Sequence, residues 1–120
     1  MPDDRNHNRL LFIVLNKVEC LQDLIVVFVE LGLGGATILN SVGMGKILTQ
    51  DIPIFAGLKN LISGARSENK VILVLLHEEM IPLVVEAFED TVGPLDQPGN
   101  GMIISVPVDF VRGGVETSRP

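Results

Sequence analysis

The sequence predicts an α+β fold built from two strand–helix–strand units in tandem, and three observations carry that prediction. Two short runs of branched apolar residues, Leu10–Leu15 (LLFIVL) and Lys70–Leu76 (KVILVLL), stand about sixty residues apart. Each gives way within a few residues to an apolar pattern of helical period. Each helix is then followed by a β-type stretch lying beside a Gly-x-Gly, one in GGATILNSVGMGK (34–46) and one in GNGMIISVPVD (99–109).

The first run is short and continuous enough to be a strand buried on both faces. From Val18 the apolar positions become Val18, Leu21, Leu24, Ile25, Phe28 and Leu31, with Glu19, Gln22, Asp23 and Glu30 among the residues between them. That is an amphipathic helix, and Gly32 ends it. Residues 36–44 alternate, with Ala36, Ile38, Asn40, Val42 and Met44 on one side of a second strand and Thr37, Leu39, Ser41 and Gly43 on the other. Residues 45–69 lose this regularity, interrupted by Gly45, Pro53, Gly57 and Gly64. So long an excursion is a functional loop, a disordered one, or one with its own short element, and Phe55–Ile62 reads as one or two helical turns.

The second unit repeats the first. Lys70–Leu76 is a strand, and Glu78–Val92 is a helix with Ile81, Val84, Val85, Phe88 and Val92 on one face. Glu78 and Glu79 sit at its positive N-terminal end, and Pro82 falls in the first turn, where proline is tolerated. Gly93–Gly101 is turn chemistry throughout. Met102–Val108 is the last strand, and Pro107 assigns it to a sheet edge. The order βαββαβ is that of the split-βαβ or ferredoxin-like sandwich, four antiparallel strands with two helices on one face. The strands read as apolar on both sides, so the face without helices is expected to meet other subunits. The domain is expected to run over 10–112, between a flexible N-terminus (1–9) and a flexible tail (113–120).

The chain's 120 residues suit one domain. Hydrophobic residues make up 47% and mean hydropathy is +0.41, which excludes wholesale disorder. The longest apolar stretch, Leu24–Leu39, is broken by Glu30 and three glycines, short of what a bilayer crossing needs. The polar start MPDDRNHN has neither the basic flank nor the apolar core of a signal peptide, so a soluble, cytoplasmic protein is expected. Nine basic residues against 15 acidic ones give a net charge of −6, which disfavours nucleic acid as a partner. Cys20 is alone, so no disulfide and no zinc pattern can be written. His77 beside Glu78 and Glu79 reads as a residue starting a helix rather than as a base or ligand. No triad or carboxylate pair can be assembled from the spacing, so no catalytic and no metal-binding residues are assigned.

Leu31–Thr37 (LGLGGAT), leading to Val42–Lys46 (VGMGK), together with Pro98–Val108 (PGNGMIISVPV), resembles the two signature regions of the P-II nitrogen-regulatory and PII-like signalling proteins over about residues 10–112. The resemblance implies a non-catalytic, trimeric regulator of ferredoxin-like subunits. It implies an adenine nucleotide or cyclic (di)nucleotide effector in the cleft between subunits, and a T-loop, here 45–69, that docks on a partner such as a membrane transporter. Carried over, the effector residues are Gly43, Met44, Gly45, Lys46, Gly99, Asn100, Gly101, Met102 and Arg112, and the partner loop presents Ile47, Phe55, Lys59 and Arg66. Glycine turns suit this role physically, because their N–H groups approach phosphate oxygens with no Cβ in the way. Either Gly-x-Gly alone is equally read as a bulge or hairpin turn.

Three positions depart from the family pattern. Ile47 stands where classical members carry a glutamine that helps hold magnesium and 2-oxoglutarate. Asn100 and Met102 replace an acid and a phosphate-contacting lysine, and Arg112 stands for a pair of arginines. Such a site suits a less charged ligand, a monophosphate or cyclic nucleotide, better than a triphosphate. Two other readings remain open at this point: a structural or metal-associated trimer like the CutA proteins, and a small ferredoxin-like enzyme using the open sheet face as a pocket.

Overall fold

The computed structural model describes residues 8–33, 35–47 and 68–114. Strand β1 (Asn8–Leu15) is followed by a 3-10 turn at Val18–Cys20 and helix α1 (Leu21–Glu30). Strand β2 (Ala36–Ser41) leads to α2, a single helical turn at Met44–Lys46. Strand β3 (Asn69–His77), a 3-10 turn at Glu78–Met80, helix α3 (Ile81–Thr91) and strand β4 (Gly101–Pro107) complete it. All strand pairs are antiparallel, in the order β2-β3-β1-β4. This is the ferredoxin-like sandwich that the element order predicts, with β4 and its Pro107 at an edge.

Helix α1 stops where the sequence says it should, and the geometry supplies the reason. Gly32 takes φ +90°, Gly32 N–H donates to Val29 O at 2.9 Å, and Leu33 N–H donates to Phe28 O at 2.9 Å. This pair of bonds closes the carbonyls of the last turn, and the buried Leu33 packs beneath it. At the start of the second helical segment, His77 Nδ1 accepts from Glu79 N–H at 3.3 Å, so the imidazole caps the turn leading into α3. Pro82 lies in the first turn of α3. At that helix's other end, Lys17 Nζ donates to Val92 O at 3.4 Å and ties it to the β1–α1 connection.

The strand registers sort the side chains into two faces. Leu11, Ile13 and Leu15 of β1 and Ile72, Val74 and Leu76 of β3 point to the helices and are fully buried, with Leu24 and Phe28 of α1 and Val84 and Phe88 of α3. Burying a side chain of this size contributes about 1.5–3 kcal/mol, so this cluster is the main source of stability. The opposite face carries Leu10, Phe12 and Val14, their β3 partners Leu75, Leu73 and Val71, and their β4 partners Val106, Ile104 and Met102. Thr37 and Leu39 of β2 extend the same face across Leu73 and Val71. The sheet is thus apolar on both sides, as its strands predict, while both helices pack on one.

Several boundaries differ from the expected ones. Strand β1 begins at Asn8, so Asn8 and Arg9 belong to the sheet rather than to a flexible terminus. Asn8 pairs with His77, and its carbonyl accepts from Val108 N–H at 3.2 Å. Strand β2 ends at Ser41, not residue 44, because β3 begins at Asn69 and leaves nothing to pair beyond the Ser41↔Asn69 bridge. The expected tail begins with Gly113 and Gly114, which lie against the start of β2. The expected helical turns at 55–62, most of the excursion with Phe55, Lys59 and Arg66, and residues 1–7 and 115–120 lie outside the described residues.

Candidate functional site

The two Gly-x-Gly motifs sit at the same end of the sheet but on opposite edges. Gly43 follows the end of β2, whose Asn40 pairs with Lys70 of β3. Lys70 pairs with Leu15 of β1, and Leu15 with Gly101 of β4. Three strand spacings, about 14 Å, therefore separate them within one chain.

The motifs use their glycines differently. In the second, Gly99 has φ +92° and Gly101 φ +152°, backbone that an L side chain rarely adopts. A Cβ on Gly101 would also lie 2.2 Å from Val14 O and 3.0 Å from Phe88 Cζ. Here the turn and the packing of β4 on the core account for both glycines. Between them, Asn100 is buried, its Nδ2 donating to Pro94 O at 2.6 Å and its carbonyl accepting from Asn16 N–H at 3.2 Å. The Asn100 side chain is thus committed to holding the 93–101 turn. Replacing it with alanine should cost about 1–2 kcal/mol in urea unfolding, the loss of one buried hydrogen bond and its unsatisfied partner.

In the first motif nothing in the backbone requires glycine. Gly43 is ordinary extended chain at φ −81°, ψ 162°, and Gly45 lies inside the single turn of α2, where glycine costs about 1 kcal/mol relative to alanine. A Cβ on Gly43 would meet only Asn69 Nδ2, at 3.4 Å. Gly43 is therefore a glycine that neither its backbone nor its packing demands. Around it the apolar side chains are exposed: Val42 51%, Met44 74% and Ile47 42%. Across the sheet Met102 is 53% exposed, on the face without helices beside Val14.

Arg112 is exposed but lies elsewhere. Its neighbours Gly113 and Gly114 line a cleft with Gly35, Ala36, Thr37 and Leu75, at the start of β2, whereas Gly43 follows its end. Five residue steps of strand, about 16 Å, lie between the two. Within one chain the predicted effector residues thus form three separate groups. A second cleft, of about 310 Å³, opens where the β2–β3 ladder ends and is lined by Asn40, Ser41, Val42, Glu68, Asn69 and Lys70. Sequence reasoning passed over both clefts, since each joins residues about thirty or more apart that only the strand registers bring together. Among the described residues no group of three or more His, Cys, Asp or Glu side chains is gathered, and no helix is long and apolar enough to cross a membrane.

No family model and no curated protein sequence matches the chain. Solved structures do. A functionally unknown protein from Pediococcus pentosaceus ATCC 25745 superimposes with a TM-score of 0.61 at 16% identity, over 91% of this chain and 99% of the other. Arabidopsis thaliana PII bound to citrate superimposes with a TM-score of 0.61 at 12% identity, over 86% of this chain and 78% of the other. At such identities the likeness is one of fold, and the chain has the ferredoxin-like fold of the PII protein.

Proposed function

We propose that the protein is a non-catalytic, PII-like cytoplasmic regulator. Three copies assemble through their open sheet faces, a nucleotide-like effector binds in the clefts between copies, and the 45–69 excursion carries the response to a partner, a membrane transporter being the class the resemblance implies. The observation that carries this reading is the placement of the two glycine motifs on opposite edges of one sheet end. Packing the β2 edge of one copy near the β4 edge of the next brings Gly43–Lys46 of one against Gly99–Met102 of the other. Repeated head to tail around a rotation axis, that contact closes a ring. The apolar face of Phe12, Leu73 and Ile104 supports the same assembly, because water is a poor neighbour for it.

Sedimentation and calorimetry test this together. The protein should sediment as a trimer and give heat with at least one of ATP, ADP, AMP, cyclic AMP or a cyclic dinucleotide, at micromolar affinity, about 8 kcal/mol. Gly43→Ala should leave the melting temperature nearly unchanged, since its Cβ meets only the end of the Asn69 side chain, while weakening that binding at least tenfold. A monomer that takes up none of these nucleotides would overturn the proposal.

A further inference from the structure

The cleft at the end of the β2–β3 ladder has a chemistry of its own. Beyond the last pair, Ser41↔Asn69, the strands part, and the space between them is walled by Asn40, Ser41, Val42, Glu68, Asn69 and Lys70. At about 310 Å³ it is at the small end of ligand pockets. Five of the six described residues that line it are polar, unlike the apolar surroundings of Met44 and Met102.

Its two charges are unspent. Lys70 is the second residue of β3 and Glu68 the residue just before that strand, so continuing its alternation puts the two on the same side with their Cβ atoms about 7 Å apart. They do not pair with each other, and among the described residues Glu68 makes no ion pair. The Lys70 ammonium donates to Asn40 Oδ1, a neutral acceptor, which leaves two of its three donors for other use. Ser41 Oγ is buried in this wall with no hydrogen-bond partner among the described residues. A buried hydroxyl left unmet costs about 1–3 kcal/mol, and Ser41, paired with Asn69, stands on the sheet face opposite to Lys70 and Asn40.

These features select a ligand by exclusion. A dicarboxylate would set one anion against Glu68, a diamine would set one cation against Lys70, and an apolar molecule would strip water from all five polar side chains without replacing it. A small molecule carrying both charges a few ångströms apart satisfies both ends. We propose that this cleft binds a free α-amino acid, its carboxylate on Lys70 and Asn40 and its ammonium on Glu68. The three residues assigned to the ligand, Asn40, Glu68 and Lys70, all come from one chain.

Calorimetric titration of the full chain with each of the common L-amino acids tests the proposal, with two analogues of every binder: the carboxamide, which removes the anion, and the deaminated acid, which removes the cation. At least one amino acid should bind in the micromolar to low-millimolar range, and each analogue at least tenfold more weakly. Glu68→Gln should weaken the amino acid at least tenfold without weakening the deaminated acid, and Lys70→Met should do the same with respect to the carboxamide. Both variants should melt within a few degrees of the parent, so lost binding is distinguishable from lost fold. No binding by any amino acid, a deaminated acid that binds as well as its parent, or a Glu68→Gln protein that binds unchanged would each overturn it.

Discussion

Replacing Gly101 by alanine is expected to destabilise the domain by about 3–5 kcal/mol, enough to abolish folding if the parent lies low in the usual stability range of about 5–15 kcal/mol. Two effects add. The φ of +152° costs a non-glycine residue about 1–3 kcal/mol, and the new methyl meets the Val14 carbonyl at 2.2 Å, an atom fixed by the β1–β4 pairing. It can move only if β4 moves away from the core, which would also unseat Phe88. Chemical denaturation against the parent measures the loss, and a change under about 1 kcal/mol would mean that β4 does not run this close to β1. The substitution separates the two glycine motifs: Gly101→Ala should lower stability sharply, and Gly43→Ala hardly at all.

Phe88→Ala should be comparably severe, about 3–5 kcal/mol, for a different reason. Phe88 is fully buried on α3, where it packs against the sheet and lies beside Gly101. Truncating it leaves a cavity that the surrounding β1 and β3 side chains cannot fill, because their rows are fixed by pairing on both sides of β1. The unfolding midpoint in urea should fall while the slope stays near that of the parent, since the surface exposed on unfolding changes little. Combining both substitutions tests the geometry further. Removing the Phe88 ring relieves the 3.0 Å contact but not the Val14 one, so the double variant should recover only a minor part of the summed losses.

Most of the fold was legible because its signals are local. The apolar runs around Phe12 and Leu73, the helical spacing ending at Gly32, and the positions of Pro82 and Pro107 each act within a few residues of where they are written. What escaped was set by partners distant in sequence. The alternation of 36–44 continues past Ser41, but a strand lasts only as long as its neighbour, and β3 supplies none before Asn69. Asn8 and Arg9 look like polar terminus until β3 and β4 flank them.

The candidate site divides in the same way. Both glycine motifs were found by their pattern, yet the pattern does not distinguish a glycine demanded by φ, such as Gly99, from one such as Gly43 that its backbone does not require. Asn100 can serve a ligand or a turn on sequence grounds, and only the position of Pro94 O decides for the turn. Arg112 was grouped with Gly101 by the family resemblance alone, but β4 carries the chain to the other end of the sheet.

The strand order also bears on how the chain is made. Strand β1, first in sequence, lies at the centre of the sheet, and its two neighbours are β3 and β4. During synthesis it has no strand partner until β3 appears, and its second flank stays open until β4 does, since Arg9 pairs with Pro107. Local pairing of successive strands, which lets many β proteins begin folding early, is available only to β2 and β3 across the excursion. Such long closures slow folding and leave a sticky apolar strand waiting. The nascent chain thus depends on α1 to shield Leu11, Ile13 and Leu15 until the rest of the sheet arrives, which places the cellular aggregation risk of this protein in its first strand.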